Sequence, residues 1–201
     1  LRDSLETIRE SGLSLLTTLS HLAELAEAGM ASGDDAECDE FDPMELARTA
    51  VEGIRDAARA KGLEVRVEAE ESFAPRCGDT RRIERILDCL LGNAVKFTDQ
   101  GRILVRVESP PEPPPGLRFS VLDTGCGIPD DKQAAIFEPF TMADASSARR
   151  HGGLGLGLAL AQRLADIIQA DLSVTSTEGE GACFTLSIPA PEGGGPDAQP
   201  R

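Results

Sequence analysis

Arg149-Arg-His-Gly-Gly-Leu-Gly-Leu-Gly-Leu158 is the stretch around which this 201-residue chain is organised. Gly153, Gly155 and Gly157 alternate with Leu154, Leu156 and Leu158, directly after Arg149, Arg150 and His151. A glycine has no Cβ, so its backbone adopts unusual angles or lies close to another group. From Gly157 onward the sequence turns helical through Ala159, Leu160, Ala161 and Leu164. A glycine run that opens a helix leaves backbone N–H groups free to face an anion, and the helix dipole favours negative charge there. The run lacks the Gly-Lys-Ser/Thr ending of a P-loop. Taken alone it could equally be a tight turn, so the rest of the chain decides.

The length suits one ordinary domain plus an extra element. Apolar residues make up 40% of the chain, and with seven Phe and no Trp or Tyr the core must be built mainly of Leu, Ile, Val and Ala. A net charge of −15 argues against duplex nucleic acid and anionic membranes as partners and favours solubility. Cysteines 38, 77, 89, 126 and 183 form no C-x-x-C pair. An odd, scattered set leads us to expect small buried thiols in a reducing compartment. No apolar run approaches the roughly 18 residues of a membrane span. The chain opens in mid-pattern at Leu1, which fits a piece of a longer protein.

Residues 1–28 read as one long helix. Leu1, Leu5, Ile8, Gly12, Leu15, Leu19, Leu22 and Ala26 are spaced by alternating fours and threes, an a/d seam that suits a helix bundle. Such a stripe needs partner helices or a second copy, a helix packed on its own domain being the alternative. His21 lies on the flank and is assigned no chemistry. The acidic run in 29–40 reads as a linker. Asp42 and Pro43 then form a helix start, and that helix stops at Gly62. Residues 63–69 alternate as a strand. Thr80 is expected to cap a helix reaching about Phe97, with Ile83, Ile86, Leu87, Leu90, Leu91 and Ala94 as its core face. Strands follow at 102–108 and 117–122, joined by a proline-rich hairpin loop, then a helical stretch at 130–136, a helix at 157–168 and strands near 172–177 and 182–188. Residues 191–201 read as a disordered tail or linker.

Four islands carry chemistry. Asn93 and Lys96 lie three apart on one helix face. Asp123 ends a strand and is followed by Gly125, Gly127 and Ile128. Phe137 and Phe140 flank a turn at Pro139, and the glycine run comes last. Each has a plainer reading as a cap, a turn or core packing.

Together, in this order and spacing, they resemble the catalytic, ATP-binding domain of sensor histidine kinases, within the GHKL superfamily that includes gyrase, mismatch-repair and chaperone ATPases. Leu90-Leu-Gly-Asn-Ala-Val-Lys-Phe-Thr98 resembles its N box, Asp123-x-Gly125-x-Gly127 its first glycine box, Phe137-Glu-Pro-Phe140 its F box and Gly153-x-Gly155-x-Gly157 its second glycine box. The likeness covers about residues 41–190. Upstream, the segment from Ser11 to Gly29 resembles the second helix of the family's dimerisation and phosphotransfer hairpin.

The resemblance implies an α+β fold. It is a two-layer α/β sandwich with a mixed, mostly antiparallel sheet covered on one face by helices, preceded by a long N-terminal bundle helix. It implies ATP and Mg2+ as cofactors. Asp123 would accept a hydrogen bond from the adenine amino group, and Gly125, Gly127 and Ile128 would pass close to the base. Asn93 would hold magnesium through its side-chain oxygen, and Lys96 would meet phosphate charge. Gly153, Leu154, Gly155, Leu156 and Gly157 would present backbone N–H groups to the phosphates. Phe137 and Phe140 would pack under a mobile lid at about 141–152, from which Arg149 and Arg150 would reach the γ-phosphate, with His151 at its base. The partners implied are a response regulator receiver domain and a second copy through the N-terminal helix, with no nucleic acid and no membrane contact by this stretch. The location implied is the cytoplasm, including as the cytoplasmic part of a membrane-anchored sensor.

Three features depart from the family's pattern. Cys89 stands four residues before Asn93, where the family usually carries a second Asn and hydrolytic relatives a Glu. Asp88 lies about 140° round the helix from Asn93 and cannot replace that Glu. Leu154 stands where a Thr is common. Neither histidine has the context of the family's phosphoacceptor. The reading is therefore a kinase core without its acceptor helix, and the alternatives are a degenerate kinase or phosphotransferase that keeps the fold as a binding module and an ATP-hydrolysing GHKL enzyme.

Overall fold

The computed structural model describes residues 12, 16, 19–28, 38–69, 73–110, 116–141 and 154–190. Their elements run β1 (Asp39–Phe41), α2 (Pro43–Ala60), β2 (Glu64–Ala69), β3 (Arg76–Gly78), α3 (Thr80–Phe97), β4 (Arg102–Glu108), β5 (Leu117–Asp123), α4 (Asp130–Gln133), a 3-10 turn (Ala135–Phe137), α5 (Gly157–Ile167), β6 (Asp171–Thr177) and β7 (Gly181–Ile188). Residues 19–28 form an N-terminal helix, α1. One five-stranded sheet has the order β2-β4-β5-β7-β6. The β2–β4 pair is parallel and the other pairs are antiparallel. This is the mixed, mostly antiparallel α+β sandwich expected.

The sheet has one apolar face because the strands alternate. Ile103, Val105 and Val107 of β4, Phe119 and Val121 of β5, and Phe184 and Leu186 of β7 are buried. Register lines them up in rows across the sheet. One row is Val67, Val105, Val121, Phe184 and Val174. The next is Ala69, Val107, Phe119, Leu186 and Leu172. α2, α3 and α5 cover this face. α3 supplies Ile83, Ile86, Leu87, Leu90, Leu91 and Ala94, the core face read from its sequence. Its companion α2 starts with the Asp42 carboxylate accepting from the N–H groups of Met44 and Glu45 at 2.7 and 3.3 Å, with Pro43 at the first helical position.

Several local expectations change. α3 is capped by Asp79, not Thr80: the Asp79 carboxylate accepts the Arg82 N–H at 2.9 Å and also meets the Arg82 guanidinium. Thr80 is already helical. Strand β1 begins at Asp39, inside the stretch read as a linker, and pairs with β3. That pairing brings together Cys38 and Cys77, 39 residues apart in sequence, and a disulfide joins them. The cysteines are therefore not all thiols, and their number no longer argues for a reducing compartment; Cys89, Cys126 and Cys183 form no disulfide.

The N-terminal helix packs in part on its own domain, the alternative to a bundle partner. Its end docks on the domain, with Ala28 buried and Leu25 packed against the core. Glu24 forms a two-pronged ion pair with Arg85 of α3 at 2.6 and 2.9 Å, and Arg163 of α5 donates to the Ala28 carbonyl at 3.3 Å. Leu16, Leu19 and Leu22 remain exposed, at 63%, 60% and 48%. Seam positions 1, 5, 8 and 15 and the tail 191–201 lie outside the described residues.

Phe119 is fully buried at the centre of the sheet. Its replacement by alanine removes a large packed side chain, so Phe119→Ala should lower the unfolding free energy by about 3–5 kcal/mol in a denaturant melt. A loss below about 1 kcal/mol would mean that the row is not packed as described.

Candidate functional site

The row of side chains after Val121 ends in a carboxylate. Val65 pairs with Ile103, and Ile103 pairs with Asp123. Asp123 lies two residues beyond Val121 and so shares its helix-covered face. Burial pushes the Asp123 carboxyl pKa up, and backbone N–H groups of Gly125 and Ala182 pull it back down. The Gly125 N–H donates to Asp123 Oδ1 at 2.8 Å. A carboxylate offers about four acceptor positions, so capacity is left for a further donor.

The loop after Asp123 is stitched to two neighbours. The Cys126 N–H donates to the Phe97 carbonyl at the end of α3, at 3.4 Å. Gly179 N–H, in the β6–β7 turn, donates to the Cys126 carbonyl at 2.7 Å. Ile128 N–H donates to Ser176 Oγ at 2.8 Å, and the Gln133 carboxamide donates to the carbonyls of Ile128 and Ser176 at 3.1 and 2.9 Å. The two glycines follow from this packing. A Cβ on Gly125 would stand 2.5 Å from the Phe97 carbonyl oxygen. One on Gly127, whose φ is +68°, would collide with the Thr177 carbonyl. The sequence reading has these glycines let the backbone pass close to a base; in the structure their missing side chains let it pass close to the Phe97 and Thr177 carbonyls.

Asn93 and Lys96 are half-buried near the C-terminus of α3. Lys96 Nζ stands 4.8 Å from the centre of the Phe97 ring, and burial holds its pKa below the ordinary lysine value. A desolvated ammonium of this kind gains from an incoming anion. Cys89, one turn before Asn93, is buried, and burial pushes its thiol pKa up to about 12. It is a neutral thiol at physiological pH and no proton acceptor. Burial also raises the Asp88 carboxyl pKa, with the Arg85 charge opposing.

The end of the glycine run shapes the start of α5. Gly155 has φ +69°, and its missing Cβ would strike the Thr141 carbonyl, so positions 141 and 155 are adjacent. Leu156 is buried and Leu154 is 52% exposed. α5 begins at Gly157, and among the described residues no side chain caps it; the first N–H groups of a helix have no intrahelical partner. His21 of α1 reaches this place: its Cε1 lies 3.8 Å from where a Gly157 Cβ would be. Burial, then the Arg85 charge, holds the His21 pKa below its usual value, with Glu24 opposing. Phe137 packs edge to face on Phe184 of the sheet, with ring centres 6.4 Å apart, whereas Phe140 is 65% exposed with φ 62°. Arg149, Arg150, His151 and Gly153 lie outside the described residues.

Asp123, its loop and the end of α3 thus border one region, since the loop rests on Phe97, and α5 packs along α3. A half-buried carboxylate selects a ligand bearing an N–H donor. A lysine and an open helix N-terminus select an anion, and a carboxamide oxygen suits a cation bound with it. The sequence did not reveal Thr124, Gln133, Ser176 or Lys61 as supports, because each acts on backbone distant in sequence.

The family model of histidine kinase-, DNA gyrase B-, and HSP90-like ATPases matches residues 78–192. The sensor protein TorS of Escherichia coli (strain K12) is 35% identical over 192 residues, covering 94% of this chain and 20% of TorS. The sensor protein GacS of Pseudomonas syringae pv. syringae is 35% identical over 195 residues, covering 94% of this chain and 21% of GacS. The chain therefore spans about a fifth of the length of these curated relatives. Among solved structures, full-length ShkA in complex with AMPPNP superposes with a TM-score of 0.80 at 32% identity, over 94% of this chain and 38% of ShkA. The catalytic domain of histidine kinase ThkA gives 0.65 at 26% identity, over 76% of this chain and 95% of that domain.

Gly125→Ala should push the Asp123 loop off the end of α3. The expected result is a lower thermal midpoint and faster amide exchange at Cys126, read by NMR. An unchanged midpoint and unchanged exchange would show that the loop has room for a side chain.

Proposed function

The chain belongs to the histidine kinase-, DNA gyrase B-, and HSP90-like ATPase family, and we propose that it is the ATP-binding catalytic core of a two-component sensor histidine kinase. The observation that carries this reading is the Asp123 carboxylate on the helix-covered face of the sheet, with its loop resting on the Phe97 carbonyl next to the desolvated Lys96. Asp123 accepts the adenine amino group; guanine presents an oxygen there, and two acceptors facing one another repel. Lys96 and the first N–H groups of α5, with Gly153, Leu154, Gly155, Leu156 and Gly157, meet the phosphates. Arg149 and Arg150 meet the γ-phosphate.

The residues present fit a magnesium ion bound jointly with the nucleotide. Mg2+ is held by few protein oxygens together with phosphates and waters, so the Asn93 carboxamide oxygen suffices. Among the described residues no group of three His, Cys, Asp or Glu side chains forms a self-sufficient cage. When bound, the ion neutralises charge on the phosphate oxygens. The side chains position the γ-phosphoryl group for in-line transfer, in which its bond to the β-phosphate oxygen breaks as a bond to a histidine nitrogen forms. The acceptor histidine belongs to a helix outside this chain, and a receiver domain's aspartate takes the group next.

Transfer is favoured over hydrolysis. Cys89, a neutral thiol, occupies the place of a water-activating carboxylate. Among the described residues no helix is long and apolar enough to cross a membrane. We assign the chain to the cytoplasm, where ATP is available, and propose that the exposed Leu16, Leu19 and Leu22 pair two copies.

Calorimetry with Mg-AMPPNP tests the adenine role. Asp123→Asn should weaken binding roughly 10- to 100-fold. The free protein should be no less stable. Because the folded-state pKa of Asp123 is raised, any stability from its proton is present below the unfolded pKa and lost as pH rises through the folded pKa. At neutral pH the charge opposes folding, and a neutral amide removes that cost. Unchanged affinity would sink the assignment. Leu19→Asp with Leu22→Asp should convert a dimer into a monomer in sedimentation; a persisting dimer would place the interface elsewhere.

A further inference from the structure

The last turn of α3 carries Lys96, and its carbonyl groups are held from outside the helix. The Ala94 carbonyl accepts the N–H of the C-cap residue Thr98 at 3.1 Å, the helix's own closing bond, and the Phe97 carbonyl accepts the Cys126 N–H from outside the helix. The carbonyls of Val95, Lys96 and Thr98 all accept from one side chain: Lys61 Nζ lies at 2.7, 3.0 and 3.2 Å from them. An ammonium has three donors and no acceptor, which matches three carbonyls. Its charge also suits a helix C-terminus, where the dipole is negative. Asp99 adds a weaker contact at 3.9 Å.

Lys61 is itself firmly placed. It is the C-cap of α2, and Gly62 follows with φ +70°. Gly62 N–H donates to the Arg59 carbonyl and Leu63 N–H to the Ala58 carbonyl, each at 3.0 Å. This pair of bonds closes a helix end of the Schellman type, with Leu63 buried behind it. Glu64 N–H then donates to the Gly101 carbonyl at 3.1 Å and starts β2. The chain path therefore aims the Lys61 stem at α3.

We propose that Lys61 is a positioning residue for nucleotide binding. Its ammonium fixes the last turn of α3, and through it both Lys96 and the Phe97 carbonyl on which the Asp123 loop rests. It joins the phosphate side of the site to the adenine side without touching the ligand. This rests on the nucleotide-binding reading above, and the test separates the two. Wild-type titration with Mg-AMPPNP comes first. No binding there would sink the nucleotide reading and this proposal's link to it, while amide exchange still judges the clasp.

Lys61→Met keeps the stem and removes the donors. It should weaken Mg-AMPPNP about tenfold. Amide exchange at Thr98 and Cys126 should accelerate, with Phe184 at the sheet centre unchanged. Lys61→Arg, which retains charge and donors, should recover at least half of the lost affinity on a logarithmic scale. Unchanged affinity and exchange in Lys61→Met would overturn the proposal. Equal acceleration at all three amides, or failure of both variants to fold, would also overturn it, by showing a general stability role.

Discussion

The pairing of Ile103 with Asp123 is the constraint on which the site depends. Side chains alternate along a strand, so a slip of one residue would turn the carboxylate to the open face and Leu122 inward. Several groups hold the register at this end. The Thr124 hydroxyl accepts the Arg102 N–H at 3.0 Å, and Gly101 has no room for a Cβ beside that hydroxyl. Gly181 leaves space for the Asp123 carbonyl. The apolar rows behind Asp123 resist slippage because Val121 and Phe119 would have to leave the core with it. The outcome is a carboxylate in a layer that otherwise excludes charge, supported by two N–H donors. Such a group opposes folding and is what a specific hydrogen-bonding site requires.

The other parts of the site are joined by backbone contacts. Gly125 lets the Asp123 loop touch the end of α3, Gly127 lets it touch β6, and Gly155 brings the start of α5 against Thr141. The glycines thus set the distances between a donor-selecting carboxylate and an anion-selecting lysine and helix end. At the far side of α3 the Glu24–Arg85 ion pair ties the same helix to α1. α3 is therefore held along its length by groups from α1, α2 and the loop after β5, and it carries both Asn93 and Lys96.

The strongly patterned elements were legible. β4 is legible at the residues where it forms, and so is the core face of α3, because period and burial coincide there. The four chemical islands are legible as residue types in a fixed order; the structure describes three of them and, of the fourth, the part from Leu154 onward. Elsewhere local signals were too short or ambiguous. Asp79 and Thr80 are both good helix caps, so preference alone does not choose between them. β1 and β3 have three residues each, too few for a period, and so the Cys38–Cys77 contact was not visible. Lys61 before Gly62 reads simply as a cation at a helix end, yet its partners lie 34 to 37 residues away. The seam of α1 reads as a bundle face, and the residues that dock on the domain, Leu25 and Ala28, lie off that seam, so its period does not announce them.

A crystal structure of the chain with Mg-AMPPNP tests the central claim most directly. The account predicts the adenine amino nitrogen at about 2.8–3.1 Å from the Asp123 carboxylate, with the metal on the Asn93 oxygen and the phosphates at the start of α5. A nucleotide bound with its base away from Asp123, or with its phosphates away from α5, would contradict it.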